Sequence, residues 1–379
     1  MADKTTDLGL GLADPRLSTE ASFTGVQRRF VELVMQERWF IAILAACFAV
    51  AGATYDHPHI AMWVGFVFAG YAVIANDSIQ TIGTFIASNK QRPWWLLWIF
   101  IGGVMLATVA YSFFTLDGDV SYGRLSSKGF AEAPQSFAFL QIAGPLFLLI
   151  LTRMRMPVST TFLLLTSFAT DPSGVSQVLS KSVMGYGLAF GAAILAWMAC
   201  GRLFDRMFKG EPHKFWHPAQ WIATTFLWAM WLVQDAANVA VFLPRKLSGA
   251  QFTIFAGVLF LGLGILFKLR GDKIQEVVEE KVAVVDVRHA TVIDIVYGII
   301  LWVFKIMSNV PMSTTWVFIG LLAGREIAIN VTRAKNERRP RREIARLIGR
   351  DLLYVTLGLV ISLVIAFIVN PKLGRSLFG

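Results

Sequence analysis

Seven stretches of this chain, 40–55, 60–88, 94–114, 182–203, 218–245, 251–268 and 352–370, are apolar over a length that crosses a hydrocarbon core about 30 Å thick. Such segments satisfy their own backbone in lipid by coiling into helices. In water they would need a larger interior than a chain of this size encloses. Composition agrees, since 55% of the 379 residues are AVILMFWYC and only 16% are charged, against roughly a quarter charged in soluble domains. The chain is predicted to be an all-α polytopic membrane protein. Residues 1–38 read as a cytoplasmic N-terminal tail. The first run, 39–56, lacks a small-residue cleavage site and reads as an extra N-terminal transmembrane helix rather than a signal peptide.

Two more apolar regions, 137–170 and 292–330, are cut near the middle by Pro157 and Pro311. The arms of the first are only about 22 and 20 Å long at 1.5 Å per residue, too short to span. Both regions are therefore expected to be re-entrant helical hairpins, although the later arm of the second is long enough to cross. Segments 60–88 and 218–245 exceed a span and carry a polar cluster in the middle. That pattern predicts helices broken at membrane depth, where the freed backbone must face protein or a water-lined cavity.

The order long helix, helix, hairpin, helix occurs over 60–203 and again over 218–370. Each copy crosses the membrane three times, so the second is expected to be inverted relative to the first. Inverted repeats with interrupted helices are the sequence mark of secondary transporters. The placement of Lys and Arg is an independent check on this topology. With the N-terminus inside, the inside segments (1–38, 89–93, 202–217, 268–291, 332–350) hold 24 of the 35 basic residues and the outside segments 7. This is the bias of a multi-pass protein of the plasma (inner) membrane with a cytoplasmic N-terminus. The net charge of +10 is thereby accounted for by topogenic loops such as the basic cytoplasmic loop 332–350, which touches membrane lipids. A nucleic-acid partner is not expected.

Within the membrane the long helix of the first copy reads Asn76-Asp77-Ser78-Ile79-Gln80, and that of the second reads Gln234-Asp235-Ala236-Ala237-Asn238. Each aspartate follows an amide and has another amide three residues on. Intramembrane carboxylates are costly and mark ion or proton pathways. Asp77 and Asp235, flanked by Asn76, Gln80, Gln234 and Asn238, offer the oxygen-rich cage a small cation or proton relay needs. Helix-packing polar contact is the structural alternative.

The hairpins carry Pro157-Val158-Ser159-Thr160-Thr161 and Pro311-Met312-Ser313-Thr314-Thr315, at similar distances from the two aspartates. Proline ends the incoming arm and Ser-Thr-Thr opens the next helix, whose free N–H groups, hydroxyls and positive dipole end favour an anion. Plain N-capping is the alternative for each motif alone. Arg153, Arg155 and Lys305 lie within a few residues of the tips, and Arg155, with its planar fork, matches a tetrahedral oxyanion. Pairing with the aspartates explains the same cations equally well. Asp294, Arg325 and Glu326 read as structural charges. No phosphate loop, nucleophile elbow or metal-binding spacing is present, so neither an enzyme nor a cofactor is expected beyond a coupling ion.

These residues resemble the PiT family of inorganic phosphate transporters and its sulfate-carrying relatives. Asn76-Asp77 with Gly83-Thr84 resemble that family's first signature, Asp235 to Asn238 the second, and Ser159, Thr160, Thr161, Ser313, Thr314 and Thr315 its hairpin tips. Phe162 and Trp316 stand where the family has His, Gln234 replaces an Asn, and Val241-Phe242 replace a Gly-Pro. The resemblance implies import of phosphate or sulfate coupled to sodium or protons, by alternating access. It also implies that Asp77 and Asp235 hold the coupling ion (sodium, if sodium-coupled), that the tips hold the anion, and that a homodimer is a common assembly. A passive anion channel or a ligand-sensing protein on the same fold remains open from the residues alone.

Overall fold

The computed structural model describes residues 37–127, 129–154, 158–207, 210–269, 286–332 and 340–369. The chain divides into two units, Met1–Val50 and Ala51–Gly379. Among the described residues the first unit holds the start of helix α1, Arg38–Thr54, and all that follows concerns the second.

Every regular element among the described residues is helical. α2 (Pro58–Val73) runs through a π-helical turn, Ile74–Ser78, into α3 (Ile79–Ser88). α4 is Trp94–Thr115 and α5 is Phe139–Arg153. A single turn, α6 (Thr160–Leu163), and a 3-10 turn, Leu165–Phe168, lead to α7 (Pro172–Met207). Then come α8 (Trp216–Ala240), α9 (Gly249–Lys268), α10 (Val287–Met307), α11 (Thr314–Thr332) and α12 (Arg341–Val369). Six segments are long and apolar enough to cross a membrane: Pro58–Ser78, Trp94–Thr115, Pro172–Ala199, Gly249–Lys268, Val287–Met307 and Arg341–Val369. The chain is an all-α polytopic membrane protein.

The structure corrects several boundaries. The polar cluster of the first long segment does disturb its helix, as a π-helical turn at Asn76 and Asp77. The second does not break: α8 runs unbroken through Gln234–Asn238 and stops only at Ala240. The first hairpin has the expected short arms, its return arm being a turn of α-helix followed by the 3-10 turn. The second region instead has arms of 21 and 19 residues, about 31 and 28 Å long. Asp286 explains the longer first arm, because its side chain accepts the Arg288 N–H (2.8 Å) and starts α10 before the apolar run begins. α7 likewise begins ten residues before the apolar run, so 172–181, which the topology reads as part of an outside loop, is helix. Residues 341–350 of the basic loop are the first turns of α12, and 333–339 lie outside the described residues.

Packing is reciprocal between the copies. α2 packs on α5 as α8 packs on α10, and α4 meets α9. The terminal helices are exchanged: α7, from the first copy, lies along α11 of the second, and α12 lies over α6 of the first. Close approach makes this possible. Gly320 and Gly324 of α11 bring their backbone against the Tyr186 and Phe190 carbonyls of α7, the small-residue spacing that membrane helices use to pack tightly. On the other side Gly358 of α12 rests on Val158. Each short tip is thereby held against the middle of the bundle.

Candidate functional site

The two aspartates and both tips meet at one buried place. Asp77 is 1% exposed and Asp235 0%. The π-helical turn supplies the local reason for the first, since widening one turn aims Asn76 and Asp77 into the protein together. Asp77 accepts hydrogen bonds from the Asn76 amide and the Thr160 hydroxyl. Asn76 also donates to the Val158 carbonyl (2.7 Å) and accepts from Thr152 (3.3 Å). Asp235 accepts from the Asn238 amide (2.7 Å) and the Thr161 hydroxyl (3.4 Å), and Thr314 lies within reach of it. Asn238 donates further to Thr160 (2.9 Å) and Thr161 (3.1 Å). The two carboxylates are close enough to repel each other.

The tips hold each other by matched bonds. Thr161 donates to the Met312 carbonyl (3.2 Å), and Thr315 donates to the Val158 carbonyl (3.4 Å). These partners occupy equivalent places in the two motifs, as do Thr160 at Asp77 and Thr314 at Asp235. Phe162 and Trp316, also equivalent, meet edge-on with ring centroids 6.2 Å apart and planes at 68°. An approximate two-fold exchange therefore relates the two halves of the site.

Several expected site residues have other duties. Ser159 caps the Phe162 N–H (3.3 Å) and Ser313 caps the Trp316 N–H (3.4 Å), so both serines open their helices as N-caps. The Ser313 N–H is held by Ser182 of α7 (2.8 Å). Gln234 donates to the Leu301 carbonyl (3.0 Å). The Gln80 amide nitrogen is buried without a partner, and Gln80 does not join Asp77. Arg155 and Pro157 lie outside the described residues. Arg153 closes α5. Lys305 reaches the Tyr122 carbonyl (3.0 Å) and Asn309 (3.2 Å) rather than an aspartate. Asp294 accepts the Thr84 and Thr224 hydroxyls (2.8 and 2.5 Å), a structural charge held by neutral donors.

The chemistry follows from which groups are spent and which are left. Asp235 Oδ2, Asn238 Oδ1, Gln234 Oε1 and Ser78 Oγ are buried oxygens with no hydrogen-bond partner. Burying such acceptors is costly unless something positive meets them. Three of the four come from one turn of α8, beside a second carboxylate at Asp77, which is the ligand set of a small hard cation. Opposite them the first N–H groups of α6 and α11, at Thr160, Thr161, Thr314 and Thr315, have no carbonyl four residues back. Those of α11, a helix of 19 residues, also carry the positive end of a helix dipole, an environment that favours negative charge. Sequence reasoning missed Thr152 and Ser182, which support the amide and the tip, because a lone hydroxyl in an apolar run carries no distinguishing pattern.

No family model matches the chain, and no curated protein sequence matches it. Among solved structures it is similar to one described as "The sodium-dependent phosphate transporter", at 14% identity and a TM-score of 0.54, covering 84% of this chain and 98% of that one. At that identity the likeness is one of fold, and the shared architecture extends over nearly the whole of the solved protein.

Proposed function

We propose that this protein is a secondary transporter that imports a small tetrahedral oxyanion, phosphate first and sulfate next, coupled to sodium or protons. The observation that carries the reading is the meeting of Asp77 and Asp235 with two Ser-Thr-Thr tips in one buried site of approximate two-fold symmetry. Carboxylates and unpaired amide oxygens need a cation; the helix N-termini beside them need an anion. Either ion alone leaves charge uncompensated in a low-dielectric interior, so binding one favours the other. Coupling is then a consequence of the site's electrostatics. Asp77, Asp235, Asn238 and Gln234 hold the cation, and Thr160, Thr161, Thr314 and Thr315 hold the anion. The solved protein sharing this fold is described as sodium-dependent and as transporting phosphate, which makes those two ions the first to test here.

Alternating access follows from the exchanged packing, because two inverted copies that rock against each other open the midplane site to one side and then the other. The bias of basic residues supports an orientation with the N-terminus in the cytoplasm of a plasma (inner) membrane protein. The test is uptake of labelled phosphate and of labelled sulfate into proteoliposomes, with a sodium gradient, a proton gradient or neither. Saturable uptake driven by one gradient is expected, and Asp77→Asn should abolish it while the protein still inserts and elutes as the wild type does. Undiminished gradient-driven uptake by Asp77→Asn refutes the assignment, and uptake without saturation or gradient dependence assigns a channel instead.

A further inference from the structure

Three cations converge on residues 308–310, the loop that leads into the second tip. Arg124, on the 3-10 turn Arg124–Ser126, is 0% exposed. Its Nη1 donates to the carbonyls of Ser308 (2.6 Å) and Val310 (3.3 Å), its Nε donates to that of Val233 (3.3 Å), and its Nη2 is buried with no partner. Lys181 of α7, 6% exposed, donates to the same two carbonyls, 3.1 Å from that of Ser308. Lys305 of α10 holds the Tyr122 carbonyl and lies 5.9 Å from the centre of the Tyr122 ring. The three are close enough to repel one another.

Among the described residues no carboxylate makes an ion pair or hydrogen bond with these three side chains, so the compensation they receive acts only at a distance. Asp119 acts on Lys305 from a distance, and its oxygens accept the Ser121 and Gly123 N–H groups (2.6 and 2.8 Å). Asp235 acts on Arg124 from α8 and is engaged by Asn238 and Thr161. Holding two carbonyls in a loop needs donors but no charge, and a neutral amide would do it without the cost of burying cations. The local backbone is built to aim Arg124 inward all the same. Tyr122, a non-glycine residue, takes a left-handed φ of 54°, followed by Gly123 at 75°, and strain of this kind persists where a site depends on it.

We propose that Arg124, Lys181 and Lys305 form a staging site that takes up a free tetrahedral oxyanion one step before the Ser313–Thr315 tip, with the unpaired Nη2 of Arg124 as the leading contact. The inference rests on the reading that the protein carries such an anion. Two residues, Pro311 and Met312, separate Val310 from Ser313, a reach of about 10 Å over three Cα-to-Cα steps. An anion held among these cations is therefore already partly dehydrated and adjacent to the helix N-terminus that receives it. A planar guanidinium with one edge free suits the first contact, and the flanking ammonium groups raise the local anion concentration.

The test uses the full chain. Arg124 is left intact because removing so deeply buried a side chain threatens folding; the variants are Lys181→Gln and Lys305→Gln, with Lys181→Arg as the charge-preserving rescue. In proteoliposomes the apparent KM for phosphate should rise about tenfold in each glutamine variant, with the rate at saturation falling less than twofold and salt inhibition of uptake weakened. Lys181→Arg should restore the KM. Equilibrium binding of labelled phosphate to purified protein supplies a second readout. Asp235→Asn, which disables the central site, should retain weak binding that disappears when Lys181→Gln is added. Wild-type KM and salt dependence in both glutamine variants, or residual binding in Asp235→Asn that ignores Lys181→Gln, overturns the staging site and leaves the transporter reading intact. If the wild type moves neither phosphate nor sulfate, the transporter reading fails, and the binding arm still decides this one.

Discussion

The packing of α11 on α7 gives a perturbation whose size follows from geometry. A Cβ added at Gly324 would stand 2.2 Å from the Phe190 carbonyl oxygen, and one at Gly320 would stand 2.4 Å from that of Tyr186. Carbon–oxygen contacts settle near 3.3 to 3.6 Å, so either substitution must part the helices by roughly 1 Å. Backbone carbonyls within a helix cannot rotate aside as a side chain would. Overpacking of this kind costs about 1–3 kcal/mol, and alanine returns about 1 kcal/mol through its better helix propensity. With backbone on both sides the cost belongs at the upper end, leaving Gly324→Ala less stable by about 2 kcal/mol. The double variant Gly320→Ala/Gly324→Ala should cost less than twice that, because one displacement relieves both clashes.

The assay is the unfolding midpoint of purified protein in detergent, with Gly191→Ala as the control, since nothing lies within 4 Å of a Cβ there. Gly324→Ala should unfold several degrees lower and Gly191→Ala no lower than the wild type. The same displacement strains the 2.8 Å bond from the Ser313 N–H to Ser182 of α7, so phosphate uptake by Gly324→Ala should fall even at temperatures where the protein stays folded. A midpoint for Gly324→Ala within a degree of that for Gly191→Ala would refute the close approach and the packing argument with it.

Two further expectations concern groups outside the central site. Thr84→Val and Thr224→Val each remove a donor from buried Asp294, and each should cost about 1–3 kcal/mol, read as a lowered unfolding midpoint; unchanged midpoints would place the carboxylate elsewhere. Burial alone would raise the Asp286 carboxyl, but the side-chain and backbone hydrogen bonds from Arg288 and the charges of Arg288 and His289 hold it below the ordinary carboxylate value. A depressed value means the cap's contribution is present above the ordinary value of 3.8 and is lost as pH falls through the lower one in the folded protein. Protection of the amides at 287–290, taken relative to the intrinsic exchange rate at each pH, should therefore fall at acid pH in the wild type, while Asp286→Ala should be weakly protected at every pH.

How much of this was legible depended on whether the determining contact was local. Spans, the aspartate pair and the tip motifs are local patterns of hydropathy and spacing, and the structure brings the last two together. The start of α7 was not legible, because Ser173, Ser176, Ser180 and Lys181 read as a polar loop ahead of the span 182–203. They are helical, and Ser182 and Lys181 are buried because they meet the second tip and its approach, about 130 residues further along the chain. Arg124 was invisible for the same reason: a lone arginine in an outside loop carries no distinguishing pattern until its guanidinium is seen among carbonyls of Val233, Ser308 and Val310. Gln80 shows a difference that spacing does not reveal: it stands three residues after Asp77 as Asn238 does after Asp235, but a π-helical turn precedes it where α8 is regular, and its amide nitrogen is buried without a partner while that of Asn238 donates to Asp235.

The contacts at the site also rank themselves by strength, and the ranking bears on motion. The bonds between the tips, Thr161 to Met312 and Thr315 to Val158, are long and neutral, each contributing about 0.5–1.5 kcal/mol at most. Those from Thr160 to Asp77 and from Asn238 to Asp235 reach a carboxylate and are roughly twice as strong when it is charged. A rearrangement that separates the tips while the first keeps Asp77 therefore breaks these two neutral bonds together with the long 3.4 Å bond from Thr161 to Asp235, and leaves the Thr160–Asp77 bond and the Asn238–Asp235 bond within α8 in place. Because α12 covers the first tip and α7 the second, neither tip can shift without carrying a helix of the other copy. A small change at the midplane, such as an ion compensating Asp235, is thereby spread over both halves of the bundle. That is the kind of linkage the proposed alternating access would draw on, and it comes from two tips packed under exchanged helices.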